Sequence, residues 1–172
     1  WISYDNLFIW SGVAVLAIVL WFLLHILTKQ LSYDFIKRRI HWFQFYVCVL
    51  LSAMLLTTVI KMVWGRIRYR QLEHALQFVP WYQIRLFSGN VSFPSGHTTA
   101  FSAILCFLEW KENPYEKVPK WKFFLIWGLL LAMPISRMIQ GAHYLSDTAV
   151  GFMITYTMYL VYRYWFRKRG YL

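Results

Sequence analysis

Apolar residues in this chain are gathered into five long runs, and the stretches between them hold most of the charge. The runs cover 7–28, 42–60, about 95–110, about 121–136 and about 147–166. A helix needs about 20 apolar residues to cross the roughly 30 Å hydrocarbon core of a bilayer. No run shows the sustained alternation of a barrel strand, so the pattern predicts membrane-spanning helices that satisfy their own backbone hydrogen bonds.

The predicted fold is all-α: one polytopic transmembrane helical bundle over 1–172, with five visible spans, or six if a first span precedes Trp1. The third and fourth runs have only about 16 residues each, which corresponds to about 24 Å of helix. We expect their outer ends to stop below the membrane surface. A pocket would then open there, at the depth of the lipid head groups.

The longest connection, 65–93, carries an apolar pattern of its own. Leu72, Ala75, Leu76 and Val79 follow the spacing i, i+3, i+4, i+7, which is the stripe of an amphipathic helix. The stripe predicts a short helix in this outward loop. Such a helix would either lie on the membrane surface or pack on the bundle as an ordinary loop helix.

Composition supports a membrane environment. The chain is 59% apolar and 15% charged, with a formal net charge of +11, whereas a soluble domain carries about 25% charged residues. A nucleic-acid binder can be equally basic but has no need of five apolar runs, so we predict a bilayer and anionic lipids as partners and no nucleic acid. No obligatory protein partner is predicted. Cys48 and Cys106 lie inside apolar runs without metal-site spacing, which predicts free thiols.

The basic residues are divided unequally between the two sides of the membrane. With five spans, three connections share one side, and each carries four basic residues, which makes twelve of the eighteen. The positive-inside bias places these connections and the C-terminus in the cytoplasm of a multi-pass cell-membrane protein. The remaining six face outward: Lys61, Arg66, Arg68, Arg70, Arg85 and Arg137.

One outward cluster contains Ser136-Arg137, then His143 and Asp147. If the fifth helix begins by His143, the histidine and aspartate share a face and can hydrogen-bond; if it begins at Ser146, the aspartate must reach back to the helix N-terminus. Such a bond would fix the histidine tautomer and leave the other ring nitrogen able to attack. The alternative is a helix-capping aspartate beside an interfacial histidine.

A second cluster, Pro94-Ser95-Gly96-His97, precedes the third apolar run. Ser95 is a good N-cap, and Gly96 lets the backbone approach a ligand closely. The N–H groups at a helix start can bind an anion, and His97 on the first turn could protonate a leaving oxygen. The alternative is a capped helix start with an incidental histidine.

The third cluster holds Lys61 and Arg68, seven residues apart. If the chain is helical through both, they share a face, and with Arg137 they could surround a phosphate. A lysine at a helix end can instead extend to the interface. Three more arginines could hold a second phosphate or a head group, or stay solvated or bind anionic lipid: Arg66, Arg70 and Arg85.

In order and spacing, the three clusters resemble the type 2 phosphatidic acid phosphatase family, whose pattern is K-x6-R-P, then P-S-G-H, then S-R-x5-H-x3-D. This chain has Lys61 with six residues to Arg68, Pro94 to His97, Ser136-Arg137 with five residues to His143, and three more to Asp147. One position departs from the motif, since Tyr69 follows Arg68 where the family has proline. The departure loosens the loop geometry and removes no charge. Members often have six spans, and this chain shows five.

The resemblance implies a membrane lipid phosphatase that uses no metal and no other cofactor. His143 would attack phosphorus to form a phosphohistidine while Asp147 holds its ring. His97 would protonate the leaving lipid oxygen and then activate water. The phosphate oxygens would be bound by Lys61, Arg68, Ser95, Gly96 and Arg137.

The substrate stays open at this point. Undecaprenyl diphosphate, phosphatidylglycerol phosphate, phosphatidic acid and a lipid A phosphate all fit a site that faces outward. A small anion-binding transporter subunit is an alternative of another class, against which stands the absence of an inverted repeat in the sequence. A vanadate-dependent haloperoxidase shares the motifs, but those relatives are soluble and the five apolar runs disfavour it.

Overall fold

The structure, a computed structural model, describes residues 33–86, 88, 90–111 and 116–172, with side chains from residue 39 onward. The predicted first span, 7–28, lies outside the described residues. Residues 33–40 belong to one compact unit and 41–172 to another, and every contact below lies within the second. Regular structure in the described ranges is helical throughout, which confirms the all-α prediction for them.

The described ranges contain four α-helices and three 3-10 helices, and the longest connection between α-helices runs from residue 65 to 95. We number the α-helices α1, Tyr33–Trp64; α2, Gly96–Ser102; α3, Lys120–Ile139; and α4, Leu145–Lys168. Three segments are 3-10 helices: Tyr69–Gln71, Ala75–Gln77 and Ala103–Glu109. The last of these continues α2 directly, so the chain is helical from Gly96 to Glu109, with α-helical geometry up to Ser102 and 3-10 geometry from Ala103 onward.

Among the described residues, two stretches are long and apolar enough to cross a membrane, Arg39–Gln71 and Lys120–Ile139. They correspond to the second and fourth predicted spans. Large apolar side chains on both remain exposed, among them Leu55, Phe124 and Leu131. Such outward apolar surfaces suit a lipid environment, in which the helices have no water to exclude.

The five-span bundle is not confirmed. The third predicted span consists of two seven-residue pieces, α2 and the 3-10 helix Ala103–Glu109, so no long α-helix forms there. The fifth corresponds to α4, which has 24 residues and starts at Leu145, two residues before the predicted start. Because α4 is less apolar than α1 and α3, it lacks a stretch that is long and apolar enough to count as a candidate membrane span.

The core forms where α1, the 3-10 extension of α2, α3 and α4 meet. Its buried members are Trp42, Phe45, Val49, Leu105, Cys106, Ile126, Leu130 and Tyr159. The Trp42 indole N–H donates to the carbonyl of Cys106 at 2.9 Å, which joins α1 to the extension and satisfies the one polar atom of the indole. Cys48 and Cys106 are free thiols, as predicted.

Hydroxyl and small side chains let α2 lie very close to α4. Thr155 Oγ1 donates to the carbonyl of Thr99 at 2.8 Å, and the Thr99 and Thr57 hydroxyls share a 3.0 Å hydrogen bond. A Cβ on Gly151 would stand 2.7 Å from the carbonyl oxygen of Ser95. Helices in membranes approach one another through such residues, and here the contact holds the start of α2 against the first turns of α4.

Replacing Gly151 by alanine is expected to lower the free energy of unfolding by about 1–3 kcal/mol, because the new methyl group would overlap backbone. Thermal unfolding in detergent measures the change. Gly128→Ala on α3 is the matched control, since a Cβ there would meet no described atom within 4 Å beyond its chain neighbours and its own helix backbone, and alanine favours a helix by about 1 kcal/mol. Equal unfolding temperatures for the two variants would contradict the close contact.

The loop after α1 does not form the predicted amphipathic helix in its described part. It has two three-residue 3-10 helices, Tyr69–Gln71 and Ala75–Gln77, and His74 before the second is extended at φ −139°, ψ 149°. Val79 is buried, whereas Leu76 is 97% exposed. The apolar spacing therefore does not become one helix face, because extended residues interrupt the helical geometry.

Charged side chains collect at the two ends of α4. At the C-terminal end, the carboxylate of Glu109 forms ion pairs with Arg163 Nε at 2.7 Å and Arg167 Nη2 at 2.9 Å, and it accepts a hydrogen bond from the Tyr159 hydroxyl at 2.9 Å. Asp147 lies in the first turn of the same helix, about 24 Å from Arg163 along the axis at 1.5 Å per residue. Two separate polar ends thus flank an apolar middle.

Candidate active site

The chain turns sharply at Gly65, immediately after α1 ends at Trp64. Gly65 has φ 63°, and a Cβ there would overlap the carbonyl oxygen of Arg85, so only glycine fits this turn. Lys61 is in the last turn of α1, whereas Arg68 lies beyond the turn with extended φ −75°, ψ 148°. The continuous helix that would place both on one face is therefore absent.

Lys61 nevertheless reaches the segment that leads into α2. Its Nζ donates to the carbonyl of Val91 at 3.0 Å. A Cβ on Gly96 would lie 3.7 Å from the same Nζ and 3.6 Å from the lysine Cε. The first predicted cluster thus lies beside the second, with the glycine at their contact.

A Schellman motif ends α3 and turns the chain between Arg137 and His143. Gly141 adopts φ 61° at the C′ position, and the N–H of Ala142 bonds back to the carbonyl of Arg137 at 3.1 Å, as this motif requires. The N–H of Arg70 donates to the Gly141 carbonyl at 2.9 Å. The segment after α1 is thereby tied to the turn that carries the third cluster.

His143 and Asp147 meet at the start of α4. The helix begins at Leu145, so Asp147 reaches back and accepts the N–H of Tyr144 at 3.1 Å. His143 Nδ1 lies 3.6 Å from the same carboxylate oxygen, Oδ2, and both side chains are buried. Asp147 therefore both caps the helix and contacts the histidine, which combines the two alternatives left open by the sequence.

Four basic side chains gather around His97, which is itself exposed on the first turn of α2. The groups that act electrostatically on its ring are Arg137, His143, Lys61 and Arg68. The Nε atoms of Arg68 and Arg137 are buried and have no hydrogen-bond partner within the described ranges. Since buried donors are normally paired, these two guanidinium groups are well suited to receive the oxygens of an anion.

Ser95 is the N-cap of α2, as predicted. Its Oγ accepts the N–H of Thr98 at 3.4 Å and the Thr98 hydroxyl at 3.0 Å. Its own N–H donates to the carbonyl of Asp147 at 2.9 Å. Ser95 thus fixes the His97 helix against the His143–Asp147 helix, and its role as a phosphate ligand stays a prediction.

The three additional arginines have different environments. Arg66 is 2% exposed and bonded to Asp147, an arrangement that stands against its binding a second phosphate, which stays a prediction. Arg70 and Arg85 are exposed. Their part in binding a second phosphate or a head group stays a prediction.

Sequence reasoning missed two features of the site. Ser92 donates its hydroxyl to Asp147 Oδ2 at 2.6 Å, and no spacing rule singles out a serine two residues before Pro94. The guanidinium carbon of Arg66 lies 4.0 Å from the ring centroid of Tyr144, a cation–π distance. Burial raises the pKa of the Tyr144 phenol, so this ring stays neutral beside the arginine.

In the described part of the chain, no group of three or more His, Cys, Asp or Glu side chains is placed to hold a metal ion.

Comparison with known proteins identifies the family. No solved structure matches the chain. The sequence model of the PAP2 superfamily matches residues 42–171, a range that contains all three motif clusters. Members of this family are phosphatases and phosphoesterases, often of lipids, and by this match the chain belongs to the PAP2 superfamily.

Proposed function

We propose that the protein is an integral membrane lipid phosphatase, which hydrolyses a phosphomonoester or a pyrophosphate of a membrane lipid through a phosphohistidine intermediate. The observation that carries the proposal is the contact of Asp147 with His143 Nδ1 inside a ring of basic side chains. The ring supplies positive charge where a phosphate would sit, and the contact leaves Nε2 of the histidine as the attacking nitrogen.

In the first step, the lone pair of His143 Nε2 attacks phosphorus and the bond from phosphorus to the lipid oxygen breaks. His97 gives its proton to that leaving oxygen, so the lipid departs as a neutral alcohol or, from a pyrophosphate, as a monophosphate. Asp147 holds the imidazole in the tautomer with Nδ1 protonated and balances the charge that develops on the ring. The products of this step are the dephosphorylated lipid and phosphohistidine.

In the second step, water attacks the phosphohistidine and the bond from phosphorus to nitrogen breaks. His97, now neutral, accepts the proton from the attacking water, and inorganic phosphate leaves. Phosphoryl transfer needs mainly positioning and stabilisation of negative charge. In this proposal those tasks belong to Lys61, Arg68 and Arg137, and no metal takes part.

The surroundings of the site support a lipid substrate. The residues around His97 are at the N-terminal end of α4, next to a loop whose apolar side chains are exposed, among them Trp81 and Tyr82. Aromatic residues of this kind are enriched at the membrane interface. We place this end at the outer face of the cell membrane and the Arg163 end in the cytoplasm, which leaves the substrates named above as candidates.

A phosphate-release panel tests the proposal. Purified protein in detergent is offered undecaprenyl diphosphate, phosphatidylglycerol phosphate, phosphatidic acid, lipid A and a soluble aryl phosphate, with EDTA present. We expect turnover of at least one lipid and inhibition by vanadate, which mimics the phosphorus in transfer.

Three outcomes would count against parts of the proposal. Turnover of the soluble ester alone would remove the lipid assignment, and an absolute requirement for Mg²⁺ would remove the mechanism. Anion uptake into vesicles that survives the loss of His143 would favour a transporter instead.

A further inference from the structure

Arg66 is bonded at several points near the site. Its Nη1 donates to Asp147 Oδ1 at 2.5 Å and to Ser146 Oγ at 2.6 Å, while its Nε donates to the carbonyl of Val79 at 2.9 Å. The guanidinium also lies over the Tyr144 ring. An arginine held at several points has one orientation, because each bond restricts rotation of its planar guanidinium group.

The two oxygens of Asp147 have separate partners. Oδ1 accepts from Arg66, whereas Oδ2 accepts from the Ser92 hydroxyl and the Tyr144 N–H and faces His143 Nδ1. The carboxylate is fully buried. A nearby cation lowers the free-energy cost of keeping a buried carboxylate ionised. Arg66 donates directly to Oδ1, and rotation of the carboxylate would break that bond.

Arg66 also links the segments that carry the three motifs. Its carbonyl accepts the N–H of Ser92 at 3.0 Å, and Ser92 lies just before the Pro94–His97 motif. Its side chain reaches Asp147 on α4, and Arg68 is two residues further along the chain. The link to Ser92 uses the Arg66 backbone, whereas the side chain bonds to Asp147, so a substitution of the side chain is expected to act first at Asp147 and His143.

We infer that Arg66 is a positioning residue for catalysis: it holds the Asp147 carboxylate in place and keeps it ionised, so that Oδ2 faces His143 Nδ1. The inference rests on the proposed phosphohistidine mechanism. It opposes the sequence-based hypothesis that Arg66 binds a second phosphate, and the two hypotheses predict different kinetics.

Arg66→Met is the test variant, because methionine keeps the length of the stem between Tyr144 and Phe78 and removes the charge. A positioning residue acts on the chemical step, so kcat should fall about 10–100-fold while KM changes less than about threefold. A phosphate-binding residue would raise KM instead. Arg169→Met, at an exposed position in the C-terminal tail, is the matched control and should leave both constants unchanged.

Arg66→Lys separates positioning from packing and serves if the methionine variant does not fold. Lysine restores the positive charge but cannot make all the hydrogen bonds of the guanidinium group. We therefore expect kcat to recover to within about tenfold of the original protein. A purely structural role predicts a lower unfolding temperature with kcat per folded molecule unchanged in both variants. That result, or a rise in KM alone, would overturn the inference.

A spectroscopic readout keeps the inference testable if the proposed function fails. In ¹⁵N-histidine-labelled protein, the His143 signal, assigned by its loss in His143→Ala, should report one tautomer with Nδ1 protonated. Arg66→Met should convert it to a mixture, whereas Arg169→Met should not. An unchanged His143 signal would overturn the positioning role whether or not any lipid is hydrolysed.

Discussion

His143→Ala is expected to abolish turnover, with kcat lowered on the order of 10⁴-fold or more, as for the loss of other covalent nucleophiles. Without the imidazole no phosphoenzyme can form, and no other described histidine contacts Asp147. Lys61, Arg68 and Arg137 remain, so substrate should still bind. The measurements are steady-state phosphate release and acid-labile incorporation of ³²P from a labelled lipid, which should be present in the original protein and absent from the variant.

His74→Ala is the matched control for this experiment. His74 is exposed in the loop after α1 and lies outside the ring of groups that act on His97. It should retain turnover within about twofold. Retention of ³²P labelling by His143→Ala, with its circular dichroism spectrum unchanged, would show that another residue is the nucleophile.

Local sequence signals predicted the parts of the site that depend on local geometry. Ser95 caps α2 because a side-chain oxygen before an apolar run can accept the N–H three residues on. Asp147 lies within reach of His143 because a carboxylate in the first turn of a helix can turn back to the helix N-terminus. These rules needed no knowledge of neighbouring helices, and the structure agrees with them.

The inward direction of Arg66 could not be predicted in the same way. Helical periodicity through Lys61 and Arg68 ignores the break at Gly65, which redirects every later side chain. The bond from Arg66 to Asp147 joins residues 81 positions apart, and no spacing rule within a single sequence covers such a distance. Ser92, which also bonds to Asp147, lies 55 positions from it along the chain.

Run length also failed to predict helix type. The run 95–110 is apolar enough for a span, but it divides into α2 and a 3-10 helix at Ala103. In the 3-10 part Ala103, Leu105 and Cys106 are buried, and the Cys106 carbonyl accepts the Trp42 indole N–H, so contacts with α1 compete with regular α-helical hydrogen bonding. Apolar content predicts that a segment is buried or lies in lipid, and tertiary contacts decide its backbone form.

Asp147→Asn should destabilise the protein by about 3–5 kcal/mol, the usual cost of removing one partner from a buried ion pair. Arg66 would keep its charge while 2% exposed, with no anion to balance it. Thermal or denaturant unfolding in detergent measures the loss. Glu73→Gln is the control, since Glu73 is exposed in the loop after α1, and it should change stability by less than about 0.5 kcal/mol.

The double variant Arg66→Met/Asp147→Asn decides whether the unpaired charge is the cause. Replacing a buried pair by neutral side chains of similar volume is often neutral or stabilising, so the double variant should recover most of the stability lost in Asp147→Asn. It should stay inactive, because the asparagine side chain would carry no charge to balance the imidazolium that forms on His143. If instead the double variant loses the sum of the stabilities lost by the two single variants, the instability comes from packing. The Arg66–Asp147 bond would then orient the two side chains without net electrostatic coupling between them.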